Sequence, residues 1–134
     1  VGIGTSIPQT TLDVSGNAII SGDLTVKGTI YGTIVDTSDA NLKTNVKPIN
    51  NALDKVNNIR GVYFEYISDV TKKTKVGVIA QEVEKVVPEV VVTREEDNIK
   101  LVAYDKLVAV LIEAIKELNG KVEKLEEKFE QLEK

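Results

Sequence analysis

The sequence predicts an elongated mixed α+β protein that completes itself by associating with copies of its own chain. Three observations carry that expectation. Apolar residues alternate with polar ones over residues 12–34, form short β and α signals over 44–103, and step by three and four over 104–134. Aromatic residues make up only 4% of a 134-residue chain that is 42% hydrophobic, and Trp is absent. One large compact core is therefore not expected, and an elongated or oligomeric arrangement is.

In the first segment the even positions from Leu12 through Val14, Ala18, Ile20, Leu24, Val26 and Ile30 to Ile34 are apolar or Gly. Most odd positions, among them Asp13, Ser15, Asp23, Thr25 and Lys27, are polar. This is the period of a β-strand. Gly16, Gly22 and Gly28 recur every six residues, and GDLTVK has the look of a hexapeptide unit. Such a chain has a single apolar face and too little area to bury it alone. Three copies wound around an axis, with glycines where backbones crowd or bend, would bury it; the alternative is a few independent hairpins. Residues 1–37 are read as the end of a β-structured stalk. The absence of Met and the opening VGIGT read as a piece of a longer polypeptide.

The second segment reads as a small α+β unit, with boundaries at 38–103. Asn50 or Asn51 can cap a short helix whose apolar positions Ile49, Leu53 and Val56 have helical spacing. GVYFEYI, residues 61–67, is β-branched and aromatic and predicts a strand. The turn TKKTK leads to a second strand, VGVIA, at 76–80. Gln81 to Val87 reads as a helix stopped by Pro88, because proline disfavours helical geometry in the residue before it. EVVVT and NIKLV flank the acidic turn REEDN and predict a hairpin.

Residues 104–134 predict a helix with coiled-coil heptads. Val108, Ile115, Val122 and Phe129 occupy a, and Leu111, Leu118, Leu125 and Leu132 occupy d. Lys121 and Lys128 fall at g, Glu126 and Glu133 at e, so each g lysine would meet the next heptad's e glutamate on a neighbouring parallel chain. In the first half Leu107, Ile112 and Ala114 widen the apolar face, which fits packing on the chain's own domain. The second half has only the narrow a/d seam, through Ile115, Leu118, Val122, Leu125, Phe129 and Leu132, and favours self-association. The heptads leave the number of chains open: β-branched a with Leu d leans toward two, a three-chain stem requires three.

Composition narrows the chemistry. The net charge of −4 comes from interspersed acids and bases, so no basic face points to nucleic acid. With no Cys and no His, disulfides, thiol chemistry and hydroxyl–His catalysis are excluded, and no metal or other cofactor is expected. No apolar run approaches the ~20 residues that span a membrane. What remains is Ser38 and Lys43 in DTSDANLK. A neutral lysine amine can take a serine's proton, provided its environment draws it down from the ordinary value of about 10.4. Five residues apart, the two face about 140° away from each other on a helix and opposite ways on a strand, so they meet only if SDANLK turns. By spacing alone such a pair is far more often structural than catalytic.

The blocks around it change that weighting. SDANLKTNVKPINNALDKVNNIRGVYFEY, GVIAQEVEKVVPEVV and VAYDKLVAVLIEAIKEL, in this order from Ser38 to about Leu118, resemble the intramolecular chaperone auto-processing domain of phage tail spikes, tail fibres and endosialidases. The upstream VGIGTSIPQTTLDVSGNAIISGDLTVKGTI looks like the stalk repeat that precedes such domains. The resemblance implies a homotrimer whose small α+β chaperone head acts on its own N-terminal stalk as folding client. It implies self-cleavage at Thr37–Ser38, with Ser38 as nucleophile, Lys43 as general base and Asp39 orienting the turn. It implies a virion tail location after synthesis in the bacterial host cytoplasm, with the chaperone part released. Gln81 and Glu82, which match a family signature, are read as structural. The other reading from the sequence is a trimeric structural cap or host-adhesion tip that does not cleave.

Overall fold

The computed structural model describes residues 1–134 and divides into two units, Val1–Lys43 and Thr44–Lys134. The boundary falls after Lys43, so the turn that carries Ser38 groups with the N-terminal unit, while the long helix groups with the α+β segment rather than standing apart. The architecture is mixed α and β, with three separate two-stranded sheets and a long C-terminal helix.

In the first unit β1 (Gly2–Ile3) pairs in parallel with β2 (Asp13–Val14), in the register Gly2 to Asp13 and Ile3 to Val14. The connection is closed by the Asp13 carboxylate, which accepts the Gln9 N–H at 2.8 Å. Gly4 sits at φ +74°, and a Cβ there would stand 2.4 Å from the Ser15 carbonyl oxygen, so only glycine fits. Residues 15–39 hold no strand, and the hairpins that were one reading of the period-two segment are absent. Its apolar side chains stand in solvent, Ile19 93%, Leu24 67% and Ile34 76% exposed. The physical reason is that a β-strand satisfies its backbone through a neighbour, and this stretch has none within its own chain.

The second unit begins with α1 (Ala52–Asn57). Asn51 stands at its cap position, as expected, but in the left-handed region at φ 54° and with no side-chain capping bond. The first amides of α1 are taken instead by Glu117, far along the chain. Antiparallel β3 (Val62–Phe64) and β4 (Lys75–Gly77) follow, shorter than the expected 61–67 and 76–80. Their turn is held by Asp69, whose Oδ1 accepts the Thr71 N–H and hydroxyl at 2.9 and 2.7 Å. Helix α2 (Ala80–Glu84) starts one residue early and ends before Val87, which lies at φ −137°, ψ 66° ahead of Pro88. Proline thus acts over more than one residue, and a 3-10 turn at Pro88–Val90 leads into the hairpin of β5 (Val91–Arg94) and β6 (Ile99–Val102). Asn98, at φ 60°, makes that turn's left-handed step, and the Arg94 guanidinium pairs with Asp97 across it.

Helix α3 runs from Leu107 to Glu133 after a 3-10 turn at Tyr104–Lys106. Its first half packs on α1 and on the α2 region through Leu107, Val110 and Ala114. Ile112, grouped with that face from the sequence, is half exposed and points elsewhere. The core is small: Ala52, Val83, Val87, Val90, Val110 and Ala114 are buried, and Val83 is the one large side chain fully so. Every a and d residue from Val108 to Leu132 stays exposed, Ile115 and Leu125 at 65%. Leu107, Val110, Ala114 and Glu117 form one stripe; Val108, Leu111, Ile115 and Leu118 form another one residue on, roughly 100° around the helix. The first half of α3 therefore has two apolar faces, and the chain covers one of them.

Candidate functional site

The segment Ser38–Lys43 folds locally because Asp39 is an efficient turn initiator. Asp39 is extended (φ −65°, ψ 132°), and its Oδ1 accepts the Asn41 N–H at 2.8 Å. A single 3-10 turn, Ala40–Leu42, follows, with the Leu42 N–H on the Asp39 carbonyl and the Lys43 N–H on the Ala40 carbonyl, both at 3.1 Å. The turn reverses the chain enough to bring together two side chains that neither a helix nor a strand would join. Lys43 Nζ donates to Ser38 Oγ at 2.7 Å. Thr37, before them, donates its N–H to its neighbour Asp36 at 2.9 Å. Ser38, Asp39 and Lys43 are all exposed in the single chain. The geometry offers a hydroxyl and an amine within proton-transfer distance, next to the Thr37–Ser38 peptide bond.

In the second unit, three contacts tie together stretches distant in sequence. The Tyr104 hydroxyl accepts the Val78 N–H at 3.1 Å and lies over Gly77, where a Cβ would stand 2.5 Å from it. VAYDKL and GVIAQE are thereby joined, and the glycine is explained by the close approach. Glu82 receives both arms of the Arg60 guanidinium, with Nε at 3.2 Å, and this pairing holds its carboxyl below the ordinary glutamate range. Gln81 is exposed on the outer side of α2.

Glu117 is a structural side chain that sequence reasoning missed. Its carboxylate accepts the Ala52 N–H at 3.0 Å and the Leu53 N–H at 2.7 Å, and these two backbone bonds, Leu53 first, hold its carboxyl below the ordinary range. Nothing local marks it out in a helix rich in Glu. Asn50 and Asn51, both good capping residues, pointed to a local cap and gave no signal of a distant one. No group of three or more His, Asp or Glu side chains stands together as a metal site would require, and no helix is long and apolar enough to cross a membrane.

Comparison with known proteins adds an independent line. Residues 38–92 match the family model of the chaperone of endosialidase, which carries a peptidase family name. The match begins at Ser38 and ends within β5. The chain is 41% identical over 98 residues to the long tail fiber protein Gp37 of Enterobacteria phage K3 and equally to that of phage T2, in each case over 69% of this chain. It is 32% identical over 99 residues to Gp37 of phage Ox2. The chain spans 8% of the K3 protein, 7% of the T2 protein and 39% of the Ox2 protein. With the family match starting at the serine of the Ser38–Lys43 contact, residues 38–92 of this chain carry a chaperone-of-endosialidase domain.

Proposed function

We propose that this chain is the C-terminal chaperone of a phage tail fibre or spike, which assembles as a homotrimer, templates folding of its own N-terminal stalk and then releases itself by cutting Thr37–Ser38. The 2.7 Å contact between Lys43 Nζ and Ser38 Oγ, at the first residue of the family match, is the observation that supports the cut. Neutral Lys43 takes the Ser38 hydroxyl proton, and Oγ attacks the Thr37 carbonyl carbon. The C–N bond breaks, the amine nitrogen of Ser38 takes the proton from the Lys43 ammonium, and an ester joins Thr37 to Oγ. Water then hydrolyses the ester, leaving a Thr37 carboxylate and a Ser38 with a free amine and a restored hydroxyl.

The layout supports the chaperone half of the reading. A stalk that must pair between chains is slow to nucleate, since closure entropy is lost before any contact rewards it. A head joined by a coiled coil raises the effective concentration of the three stalk segments. Removing the head afterwards closes the assembly route to unfolding and leaves the stalk kinetically trapped in the virion tail.

Intact-mass spectrometry of freshly expressed protein tests the cut. The expected result is two fragments, one ending at Thr37 and one starting at Ser38, and a full-length chain for Ser38→Ala. A wild-type chain that associates and stays whole would leave the second reading, a non-cleaving fibre cap or adhesion tip.

A further inference from the structure

Between the end of α1 and the start of α3 lies a half-open cleft of about 210 Å³, lined by aliphatic side chains including Val56, Ile59, Val78, Leu107 and Leu111. It sits where the two apolar stripes of α3 meet: Leu107 belongs to the stripe facing the head, and Leu111 is a heptad d residue, 45% exposed. In the heptad frame Leu107 is at g. In a parallel coiled coil a g residue meets the e residue five positions on in the neighbouring chain, as Lys121 would meet Glu126 and Lys128 would meet Glu133. The residue that stands in this relation to Leu107 is Ile112. It is the one apolar residue at e; the others are Asn119, Glu126 and Glu133. It is also 50% exposed, with no place in its own chain's core.

We propose that Ile112 of a second copy of the chain fills this cleft, so that the coiled coil does not merely tether the heads but closes each head's unfinished core. The g-to-e rule that pairs opposite charges along the lower helix pairs apolar groups at its top. The change of type falls where α3 passes from free helix to helix packed on α1. The inference rests on the self-association proposed above. It goes beyond it by assigning the head cleft, an occupant and a direction around the assembly, each copy supplying Ile112 to the next.

The chain has no native Cys, so engineered disulfides report without interference. In the full chain, Ile59→Cys combined with Ile112→Cys, mildly oxidised, should give reducible covalent species larger than a dimer, because each copy is linked to the next. Either single variant should give a dimer at most. As a second measurement, Ile112→Ala should raise the concentration for half-association by about tenfold or more, the effect of losing one buried aliphatic side chain. Lys116→Ala, on the outer face, should leave it unchanged. If Leu125→Cys cross-links at the seam while the Ile59/Ile112 pair does not, and Ile112→Ala associates like wild type, the cleft assignment is overturned and self-association stands. If the wild-type chain sediments as a monomer, both fall together.

Discussion

The Glu117 carboxylate accepts the N–H of Leu53 at 2.7 Å, together with that of Ala52, and so caps α1 from a helix more than sixty residues away. A helix of six residues cannot satisfy its first amides by itself, and Asn51, turned left-handed at φ 54°, does not supply the side-chain bond. The cap thus locks the start of α1 to the middle of α3, one residue from the exposed d position Leu118.

This makes the head acid-sensitive in a defined direction. The two backbone bonds hold the Glu117 carboxyl below its ordinary value, with Lys121 adding to the effect. A depressed carboxylate contributes stability above its unfolded-state value, and the contribution is lost as pH falls through the folded value. Glu117→Gln should therefore melt a few degrees below wild type at about pH 7, with the gap narrowing as pH falls below the ordinary glutamate value of about 4.3. Thermal melts of both proteins across that range check it; Asp69, Glu82 and Asp97, also held low, act equally in both proteins.

Asp39→Ala should slow self-cleavage without abolishing it. It removes the bond to the Asn41 N–H that starts the turn, a loss of about 1 kcal/mol, or roughly fivefold in the fraction of chains with Ser38 and Lys43 in contact. Lys43→Ala should stop cleavage outright. Time-resolved mass spectrometry after synthesis separates slowing from abolition, and equal rates for Asp39→Ala and wild type would remove Asp39 from the site.

Gly77→Ala should destabilise the head by about 1–2 kcal/mol, because the new methyl meets the Tyr104 hydroxyl at 2.5 Å and a Phe64 ring carbon at 3.1 Å. Tyr104→Phe alone should cost about 1 kcal/mol by leaving the Val78 N–H without its acceptor. Combined, the two should cost clearly less than their sum, since removing the hydroxyl makes room for the methyl. Urea titration of the four proteins gives this coupling directly.

If copies associate through α3 as proposed, the charges on its lower half set their orientation. Parallel pairing puts Lys121 against Glu126 and Lys128 against Glu133, whereas antiparallel pairing would set lysine against lysine and glutamate against glutamate. Fluorophores placed at the C-terminus should quench one another on association, and Leu125→Glu should abolish both the quenching and the association. Quenching that persists in Leu125→Glu would show that the a/d seam is not the contact.

The sequence alone determined what depends on near neighbours in the chain. The helical step of α3, the hairpin around REEDN and the block at Pro88 are local physics, written in residue type and spacing, whereas the Ser38–Lys43 pairing and the place of Asp39 in its turn were expected only through the resemblance of the blocks around them. The tertiary structure decided what depends on distant partners. It set which stripe of α3 the head covers, that Val110 rather than Ile112 lies inward, and that the hydroxyl of Tyr104 and the carboxylate of Glu117 each complete an element far from them in sequence. The apolar period of residues 12–34 marks the border between the two kinds of information. Alternation states that a strand is available, but a ladder needs a second backbone, and past β2 (Asp13–Val14) the chain supplies none.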